Sequence, residues 1–426
     1  MSDAFGKRNG LAYGMLGLPL AFVALPLYVI LPNHYAREFG VPLATLGAIL
    51  LGARLFDAFI DPLLGRVSDR LFARSPVDVL KFGAFSAVVL ALGFSLLFFP
   101  LVNTPGALIV WASVMLMVTY AAYSALSVSH QSWGAMLGGN EAQRSLIVAW
   151  REGLGLVGVV LASVTPVALG LPATTAIFFI ALVVGWLAWT RAVRPVAKPN
   201  ADAQGPAGQP GAIWLPLKHA SFRSLLVVFM LNGIASAVPA TLVLFFIQDR
   251  LQTPAAMEPL FLGSYFLSAA RSIPLWLAVV KRLGLARAWL CGMALAIAVF
   301  GWATQVGAGQ TGAFLLICAL SGIALGTDLA LPGALLAGVI QANGDSGRSE
   351  GAYFGWWNFA TKLNLALAAG LALPLLGLFG YAPGIRDQAA LAALVVAYCV
   401  LPCVLKLAAA GGLYFLIIKP SKSAAI

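Results

Sequence analysis

Three charged residues lie close together within an otherwise apolar stretch of this 426-residue chain. Arg54, Asp57 and Asp61 follow an i, i+3, i+7 spacing, which places them on one face of a helix. Two carboxylates one helical turn apart cannot both stay ionised away from water unless a cation lies beside them. The spacing therefore indicates a site for Na⁺, a proton or the ammonium of a lysine. The alternative is a structural salt bridge between Arg54 and Asp57, which leaves Asp61 unexplained.

Charged residues also interrupt other apolar stretches. Lys362 follows Trp357 and Asn358 near the middle of its stretch. Its ammonium can neutralise the aspartate pair, and snorkelling towards the lipid headgroups is the alternative. Arg271 and Asp328 carry opposite charges in the second half of the chain. They predict either a structural ion pair or two contacts to a zwitterionic or anionic substrate.

A polar stripe follows one face of the apolar stretch that begins near residue 106. Its members, mostly at i, i+4 and i+7 spacing, are Tyr120, Ser124, Ser127, His130 and Gln131. Such hydroxyl and amide groups suit substrate recognition, and we assign Ser124 to the cation site. His130 is either a proton carrier or a hydrogen-bonded core residue. Asn232 predicts either a substrate contact or a hydrogen bond between helices. For Lys406, snorkelling, helix packing and a functional role stay open.

The composition determines the class of protein that must position these groups. Hydrophobic residues make up 61% of the chain and charged residues 10%, a ratio that excludes a soluble enzyme, a secreted disulfide scaffold and a disordered protein. A bilayer requires about 20 apolar residues per helical span. Twelve predicted spans meet this requirement, at residues 11–32, 42–66, 80–101, 106–130, 146–170, 173–194, 223–247, 257–280, 288–306, 312–340, 351–379 and 389–417. The sequence therefore predicts an all-α polytopic membrane protein.

The basic residues are unevenly divided between the two sides of the membrane. Loops on one side carry only Arg37, Arg250 and Arg386, whereas the opposite loops and both termini carry 19 Lys and Arg. The positive-inside rule therefore places both termini in the cytoplasm, which agrees with an even number of spans. Because this charge belongs to membrane topology, we expect lipids and no nucleic acid as partners. Neither the four scattered cysteines nor the isolated histidines predict a metal, a cofactor or an enzyme active site.

A polar stretch rich in Pro and Gly divides the chain into two halves. Residues 195–222 are predicted to form a cytoplasmic linker between six-span bundles at 1–194 and 223–426. Two pairs of residues repeat at an offset of 212 positions, Pro62 with Pro274 and Arg70 with Arg282. Such an internal repeat is typical of secondary transporters that bind substrate between their halves.

Two motifs resemble a known family. The residues Arg54-Leu-Phe-Asp57-Ala-Phe-Ile-Asp61-Pro-Leu-Leu-Gly65, followed by Asp69 and Arg70, resemble the second span of the glycoside-pentoside-hexuronide:cation symporters. This is the melibiose permease group of the major facilitator superfamily. Arg348-Ser-Glu-Gly-Ala-Tyr-Phe-Gly355, with Lys362 beyond it, is similar to the eleventh span of that family. The resemblance implies a major facilitator fold of 12 transmembrane helices in two six-helix bundles.

The resemblance also implies roles for individual residues. The two aspartates would bind the coupling cation, with Lys362 and Arg151 shaping the site. We predict Asp69, Arg70, Arg151 and Arg348 as gating residues. Arg151 and Glu152, at the start of span 5, form either a gating ion pair or ordinary charges near a helix end. The charged and polar residues within apolar stretches are separately predicted to contact the substrate, namely Arg54, Tyr120, Ser127, His130, Gln131, Asn232, Arg271, Asp328, Trp357, Asn358 and Lys362.

Several positions depart from the family pattern. Pro19 and Ser127 stand where sugar-transporting members carry acids, and Gly338 replaces a third acid. Ile60 replaces a polar residue beside Asp61, which removes a neutral ligand for Na⁺. We therefore expect H⁺ rather than Na⁺ as the coupling ion, although a Na⁺ site at the aspartate pair stays open. The loss of acids favours an anionic or amphiphilic substrate over a neutral disaccharide.

These features predict a cation-coupled symporter that moves a small organic solute by alternating access. We expect it to act as a monomer in the bacterial inner membrane, without a cofactor. Two alternatives stay open. One is an exporter or flippase of an amphiphilic or lipid-like molecule, and the other is a Na⁺-coupled sugar symporter.

Overall fold

The computed structural model describes residues 5–195, 212–254, 257–378, 380–381, 384 and 387–420. These residues form helices and turns and contain no strand. The helices are α1 (Lys7–Gly14), α2 (Gly17–Leu25), α3 (Leu31–Glu38), α4 (Leu43–Arg74), α5 (Pro76–Phe98), α6 (Pro105–Met136), α7 (Glu141–Thr190), α8 (Leu215–Lys218), α9 (Ala220–Phe245), α10 (Glu258–Leu283), α11 (Leu285–Ala303), α12 (Thr311–Ala342), α13 (Glu350–Leu378), α14 (Gln388–Val395) and α15 (Leu401–Gly412). Short π-helical segments occur at Pro26–Ile30, Phe246–Arg250, Val396–Val400 and Leu413–Ile418.

The helices match the predicted spans. In the described part of the chain, nine helical segments are long and apolar enough to cross a membrane. The other three predicted spans coincide with the run from α1 to α3, with α4 and with α13. This architecture confirms the predicted all-α polytopic fold.

Helix α7 covers the two predicted spans 146–170 and 173–194, and its backbone departs from helical geometry at Gly170. Gly170 adopts a φ of 80°, a left-handed conformation that residues with a Cβ atom rarely adopt. Pro166 and Pro172 on either side remove backbone donors, so regular helix cannot continue through this point. The two apolar segments of α7 that are long enough to cross a membrane are Glu141–Pro166 and Ala168–Thr190, and Gly170 lies near the start of the second.

Contacts divide the chain into two compact units. Unit 1 comprises residues 1–216 and 337–359, and unit 2 comprises 217–336 and 360–426. The predicted halves differ from these units in the segment 337–359, which packs with the first half. The central part of the predicted linker, residues 196–211, lies outside the described residues. The rest of it is partly helical, since Ala212–Trp214 and α8 precede α9.

Each unit has its own apolar core. In unit 1, α1 and α2 pack against α7, while α6 packs against α4 and α5. Bulky rings such as Trp133, Trp189 and Phe178 are fully buried there. In unit 2, α15 packs against α9 and α11, and the ring of Phe246 stacks on Tyr398. Large apolar side chains cover the outside of both units, as expected for helices that face lipid.

Candidate functional site

The predicted cation site is assembled from α4 and α6 of unit 1. Asp57 and Asp61 are 1% and 0% exposed. The hydroxyl of Ser124 on α6 donates a 2.7 Å hydrogen bond to Oδ1 of Asp57. The structure therefore brings together the three residues that the sequence analysis assigned to cation coupling. Two carboxylates one turn apart and a hydroxyl form a compact acidic site within the apolar bundle.

The other charged residues predicted near this site are less buried. Arg54 is exposed on α4, and Lys362 is half-buried on the part of α13 that belongs to unit 2. Trp357 is buried and Asn358 is half-buried, both on the part of α13 in unit 1. Their assignment as substrate contacts stays a prediction.

A second polar site in unit 1 is a cavity of about 120 Å³ between α2, α6 and α7. It is lined by residues from the predicted stripe, Ser127, His130 and Gln131, and by Arg151 and Glu152. The amide of Gln131 donates a 2.9 Å hydrogen bond to the Ser127 hydroxyl. Arg151 forms an ion pair with Glu152, its neighbour in the chain. Of the two alternatives left open for Arg151 and Glu152, the structure therefore contains the ion pair, and its role in gating stays a prediction.

His130 is tied to the protein backbone at one ring nitrogen. Its Nε2 lies 2.8 Å from the carbonyl oxygen of Tyr13, and its ring stacks on the Tyr13 ring at 4.4 Å. Because a carbonyl oxygen only accepts, Nε2 must carry the hydrogen. His130 thus has the contacts of a packed core residue, although it also lines the cavity. Tyr120, the first residue of the predicted stripe, is also buried.

Asp328 lies at the centre of a buried network in unit 2. Its Oδ1 accepts hydrogen bonds from Asn232 at 3.0 Å and from the Trp289 indole at 2.8 Å. Its Oδ2 accepts from Ser236 at 3.2 Å and from Lys406 at 3.1 Å. The ion pair of Asp328 is therefore formed with Lys406.

Arg271, which the sequence predicts as the partner of Asp328, is instead exposed on α10. Lys406 is only 4% exposed, which argues against snorkelling. Its ammonium also donates a 2.7 Å hydrogen bond to the side-chain oxygen of Asn232.

The predicted gating residues differ in burial, since Asp69 is buried, Arg151 is half-buried, and Arg70 and Arg348 are exposed. Asp69 is buried, and its carboxylate accepts hydrogen bonds from the backbone amides of Gly351 at 2.6 Å and Ala352 at 3.0 Å. Arg66 forms a 3.8 Å ion pair with the same carboxylate. Asp69 therefore connects α4 to the first turn of α13, where the helix dipole also favours a negative charge.

Arg70 and Arg348 are exposed on either side of this contact. Arg144, which the sequence analysis did not include, donates a 2.8 Å hydrogen bond to Gln341 on α12. The guanidinium of Arg144 lies against Gly338, so the glycine that replaces a family acid leaves room for this arginine.

Glu350 is a further buried acid beside Asp69. Both residues lie outside the predicted spans 42–66 and 351–379. Burial raises the pKa of Glu350 from 4.5 to about 7, although the backbone amide of Gly347 donates to it at 2.6 Å. Burial and the nearby charge of Glu350 raise the pKa of Asp69 well above its usual value. Two coupled acids therefore lie where α4 meets α13.

Several functional candidates escaped sequence reasoning because their partners lie on other helices. Lys406 has no polar neighbour at helical spacing on its own helix, and its acceptors Asn232 and Asp328 lie on α9 and α12. Glu350 lies within the span 11 motif at residues 348–355, which is the feature of the sequence that could have identified it. Among the described residues, no group of three or more His, Cys, Asp or Glu could hold a metal ion.

The fold of this chain is similar to that of solved membrane transporters. The solved structure of a bacterial homologue of the iron transporter ferroportin in an outward-facing state superposes with a TM-score of 0.73 at 16% identity, covering 97% of this chain and 99% of that one. The Escherichia coli fucose:proton symporter FucP superposes with a TM-score of 0.67 at 13% identity, covering 95% and 98%. At these identities the likeness shows the fold.

The sequence comparisons identify the family. Residues 10–419 match the MFS/sugar transport protein family, and the chain belongs to it. The inner membrane symporter YicJ of Escherichia coli (strain K12) is 25% identical over 171 residues, which span 38% of this chain and only 35% of YicJ. The uncharacterized symporter YjmB of Bacillus subtilis (strain 168) is 24% identical over 398 residues, 88% of this chain and 84% of YjmB. The protein is thus a transporter and not an enzyme.

Proposed function

We propose that the chain couples transport of a small organic solute to the movement of protons, with Asp57 and Asp61 as the coupling site. The observation that carries this proposal is the burial of both carboxylates one turn apart, with the Ser124 hydroxyl donating to Asp57. An ionised side chain inside a membrane-spanning bundle has a high free-energy cost, so such residues are paired with another group or take part in function. Binding a proton reduces this cost each time the site loads.

A proton fits this site better than Na⁺. A metal cation needs a shell of oxygen ligands, whereas a proton needs a single base. The residue before Asp61 is Ile60, which supplies no side-chain oxygen. The Ser124 hydroxyl donates its hydrogen to Asp57, so a side chain from a second helix fixes the position of the carboxylate that would accept the proton.

The 120 Å³ cavity in unit 1 is the proposed solute site. Its volume is below the range of about 300–1,000 Å³ that holds drug-sized ligands, so it favours a small solute over a disaccharide. Gln131 and Ser127 offer amide and hydroxyl groups, and the guanidinium of Arg151 can bind an oxygen-rich or acidic group.

Helix α4 provides a route for coupling within unit 1. Asp69, which accepts hydrogen bonds from α13, lies about two turns beyond Asp61 on the same helix. Gly355 of α13 packs against the backbone of Asp61 itself. A change of charge at the aspartates therefore acts on the packing between α4 and α13, which is how binding and conformation become linked. We propose that this linkage drives alternating access in a monomer that lies in the inner membrane with both termini in the cytoplasm.

The first experiment identifies a solute. Purified full-length protein is screened by thermal shift against sugars, organic acids, amino acids and lysolipids, at acidic and neutral pH, with and without Na⁺. A ligand of the native state raises the melting temperature by mass action. We expect a small polar solute to stabilise the protein more at acidic pH, with no effect of Na⁺. A glycoside that requires Na⁺ would favour Na⁺-coupled sugar symport, and stabilisation by lysolipids alone would favour export of an amphiphile.

The second experiment tests the coupling site in liposomes. The radiolabelled solute is supplied with an imposed pH gradient or an equal Na⁺ gradient. We expect concentrative uptake with the pH gradient, and its loss in Asp57→Asn and Asp61→Asn while exchange of solute persists. Asp78→Asn is the matched control, because Asp78 forms only a surface ion pair with Lys81. Concentrative uptake that survives in both Asn variants would refute the assignment.

A further inference from the structure

A cavity inside unit 2 lies apart from every residue assigned to cation coupling. It has a volume of about 330 Å³ and is enclosed by α9, α10, α11, α12 and α15 together with the π-helical segment 396–400. This volume falls in the range of cavities that hold small organic ligands. Ala240 and Leu244 of α9 line the cavity and are also exposed.

The cavity wall is largely apolar and aromatic. Phe261, Phe266 and Phe300 belong to the lining, as do Ala296 and Ala324. Such a surface favours an aromatic ring or a short alkyl chain, because transfer of that group from water is favourable by about 25 cal/mol per Å² of buried area.

The two ionic side chains in the polar part of the wall, Asp328 and Lys406, form an ion pair with each other. The carboxylate of Asp328 accepts four hydrogen bonds, from Asn232, Trp289, Ser236 and Lys406, which fills its acceptor capacity. Its charge is balanced by the ammonium of Lys406 at 3.1 Å. A cation therefore finds no unused acceptor at Asp328, and an anion would upset a balanced buried pair.

The same wall offers three hydrogen-bond donors to an occupant. Lys406 has three N–H groups, and its described acceptors are two, Asn232 and Asp328. Tyr265 and Tyr398 line the cavity, and neither hydroxyl makes a hydrogen bond to any group in the described ranges.

We propose that this cavity binds an uncharged amphiphile, with an aromatic or short alkyl body and a polar end that accepts hydrogen bonds. The apolar body lies against the phenylalanines, and the polar end accepts from Tyr265, Tyr398 and Lys406. This site is independent of the proposed coupling site, because it shares no residue with it and its test measures binding instead of transport.

The test uses three probes that share one body and differ in charge, namely 4-phenylbutanamide, 4-phenylbutanoate and 4-phenylbutylammonium. Binding to purified full-length protein is measured by thermal shift and calorimetry. We expect the amide to bind saturably and at least about tenfold more tightly than either ion, a difference of about 1.4 kcal/mol. Tighter binding of either ion, or no binding of any probe, would overturn the proposal.

Two tyrosine variants locate the site. Tyr265→Phe and Tyr398→Phe each remove a hydroxyl that makes no hydrogen bond to the described residues, so both variants should fold. Each should weaken amide binding by about 3- to 10-fold, the range expected for one hydrogen bond. Tyr414→Phe is the matched control, because Tyr414 is exposed and does not line the cavity. Wild-type affinity in both cavity variants would refute the site.

A chemical measurement checks the location without any substitution. Cys318 lines the cavity, whereas Cys291 is exposed and does not. Peptide mass spectrometry after treatment with N-ethylmaleimide follows both thiols in one sample. The amide should slow modification of Cys318 and leave Cys291 unchanged. Modification of Cys318 that is measurable without the amide and is not slowed by saturating amide would place the probe elsewhere.

Discussion

Glu350 is buried at the start of α13, where the backbone amide of Gly347 donates to its carboxylate. Burial raises its pKa from 4.5 to about 7, so at neutral pH the folded protein holds this proton more tightly than the unfolded chain does. A group with a raised native pKa stabilises the fold fully below its unfolded pKa, and this contribution is lost as the pH rises through the folded value. The window of change therefore runs from about pH 4.5 to about pH 7.

Glu350→Gln should remove this pH dependence. The amide keeps an oxygen for the Gly347 N–H and carries no charge. We expect the melting temperature of the variant to exceed that of the wild type at neutral pH, with a stabilisation on the order of 3 kcal/mol. At acidic pH the two proteins should converge. Glu141→Gln is the control, because Glu141 is exposed at the start of α7. A wild-type slope between acidic and neutral pH in Glu350→Gln would contradict the assignment.

The buried ion pair between Asp328 and Lys406 predicts a strong coupling between two substitutions. Removal of one partner leaves an uncompensated charge, so Lys406→Met or Asp328→Asn should cost about 3–5 kcal/mol. The double variant should cost much less than the sum, because no charge remains buried. Lys81→Met, which removes an exposed partner of Asp78, should cost about 0–1 kcal/mol. Thermal unfolding of the four variants measures these effects, and additive losses would show that the pair is not coupled.

For individual residues, the sequence indicates which side chains are functional candidates more readily than it indicates which residues they contact. Asp57 and Asp61 stand out because helical spacing is visible within one segment. The partner of Asp328 could not be predicted, because Lys406 lies on another helix and a charge in an apolar stretch does not specify what it contacts. For the same reason the sequence did not connect Arg144 with Gln341.

At the scale of elements, α4 and α13 approach so closely that only glycine fits between them. Cβ atoms added at Gly65 and Gly351 would collide with the backbone of the opposite helix. This approach brings the amides of the first turn of α13 to Asp69. Because backbone atoms cannot move aside as a flexible side chain can, we expect even one methyl group to separate the helices.

Gly65→Ala should therefore destabilise unit 1 by on the order of 1–3 kcal/mol. Gly52→Ala is a matched control on the same helix, since a Cβ atom there meets nothing within 4 Å. Alanine at that position should leave stability unchanged or raise it by about 0.5–1 kcal/mol, because it lowers the entropy lost on folding. The melting temperatures of Gly65→Ala, Gly52→Ala and the wild type measure these changes in stability. An unchanged value for Gly65→Ala would show that the two helices are not held in this close contact.

The existence of the helices was predictable from hydropathy, but their detailed form was not. Apolar stretches of about 20 residues identify spans because lipid leaves few alternatives to helix. The joining of two spans within α7 depends on the conformation of Gly170, and one glycine among 44 carries no visible mark of that role. The grouping of residues 337–359 with unit 1 depends on packing at Gly65 and Gly351, which hydropathy does not contain.

At the scale of the whole molecule, the distribution of Lys and Arg predicts the orientation in the membrane. The loops and termini of one side carry 19 basic residues and those of the other side carry three. Basic residues near the ends of spans are retained on the cytoplasmic side, so both termini should face the cytoplasm. The orientation also matters for the proposed mechanism, because it places Asp69 and Glu350 on the cytoplasmic side.

Reporter fusions test this orientation directly. Alkaline phosphatase is active only outside the cytoplasm, and green fluorescent protein exported through the general secretory pathway does not fluoresce. A fusion after Gly309, between α11 and α12, should give active phosphatase and no fluorescence. Fusions after Gly344 and after Lys419 should give the opposite result, and the Gly344 fusion serves as an internal control beside Arg348. Active phosphatase after Lys419 would mean that the contact between Asp69 and α13 faces the exterior, so that a pH gradient would act on Glu350 from the opposite side.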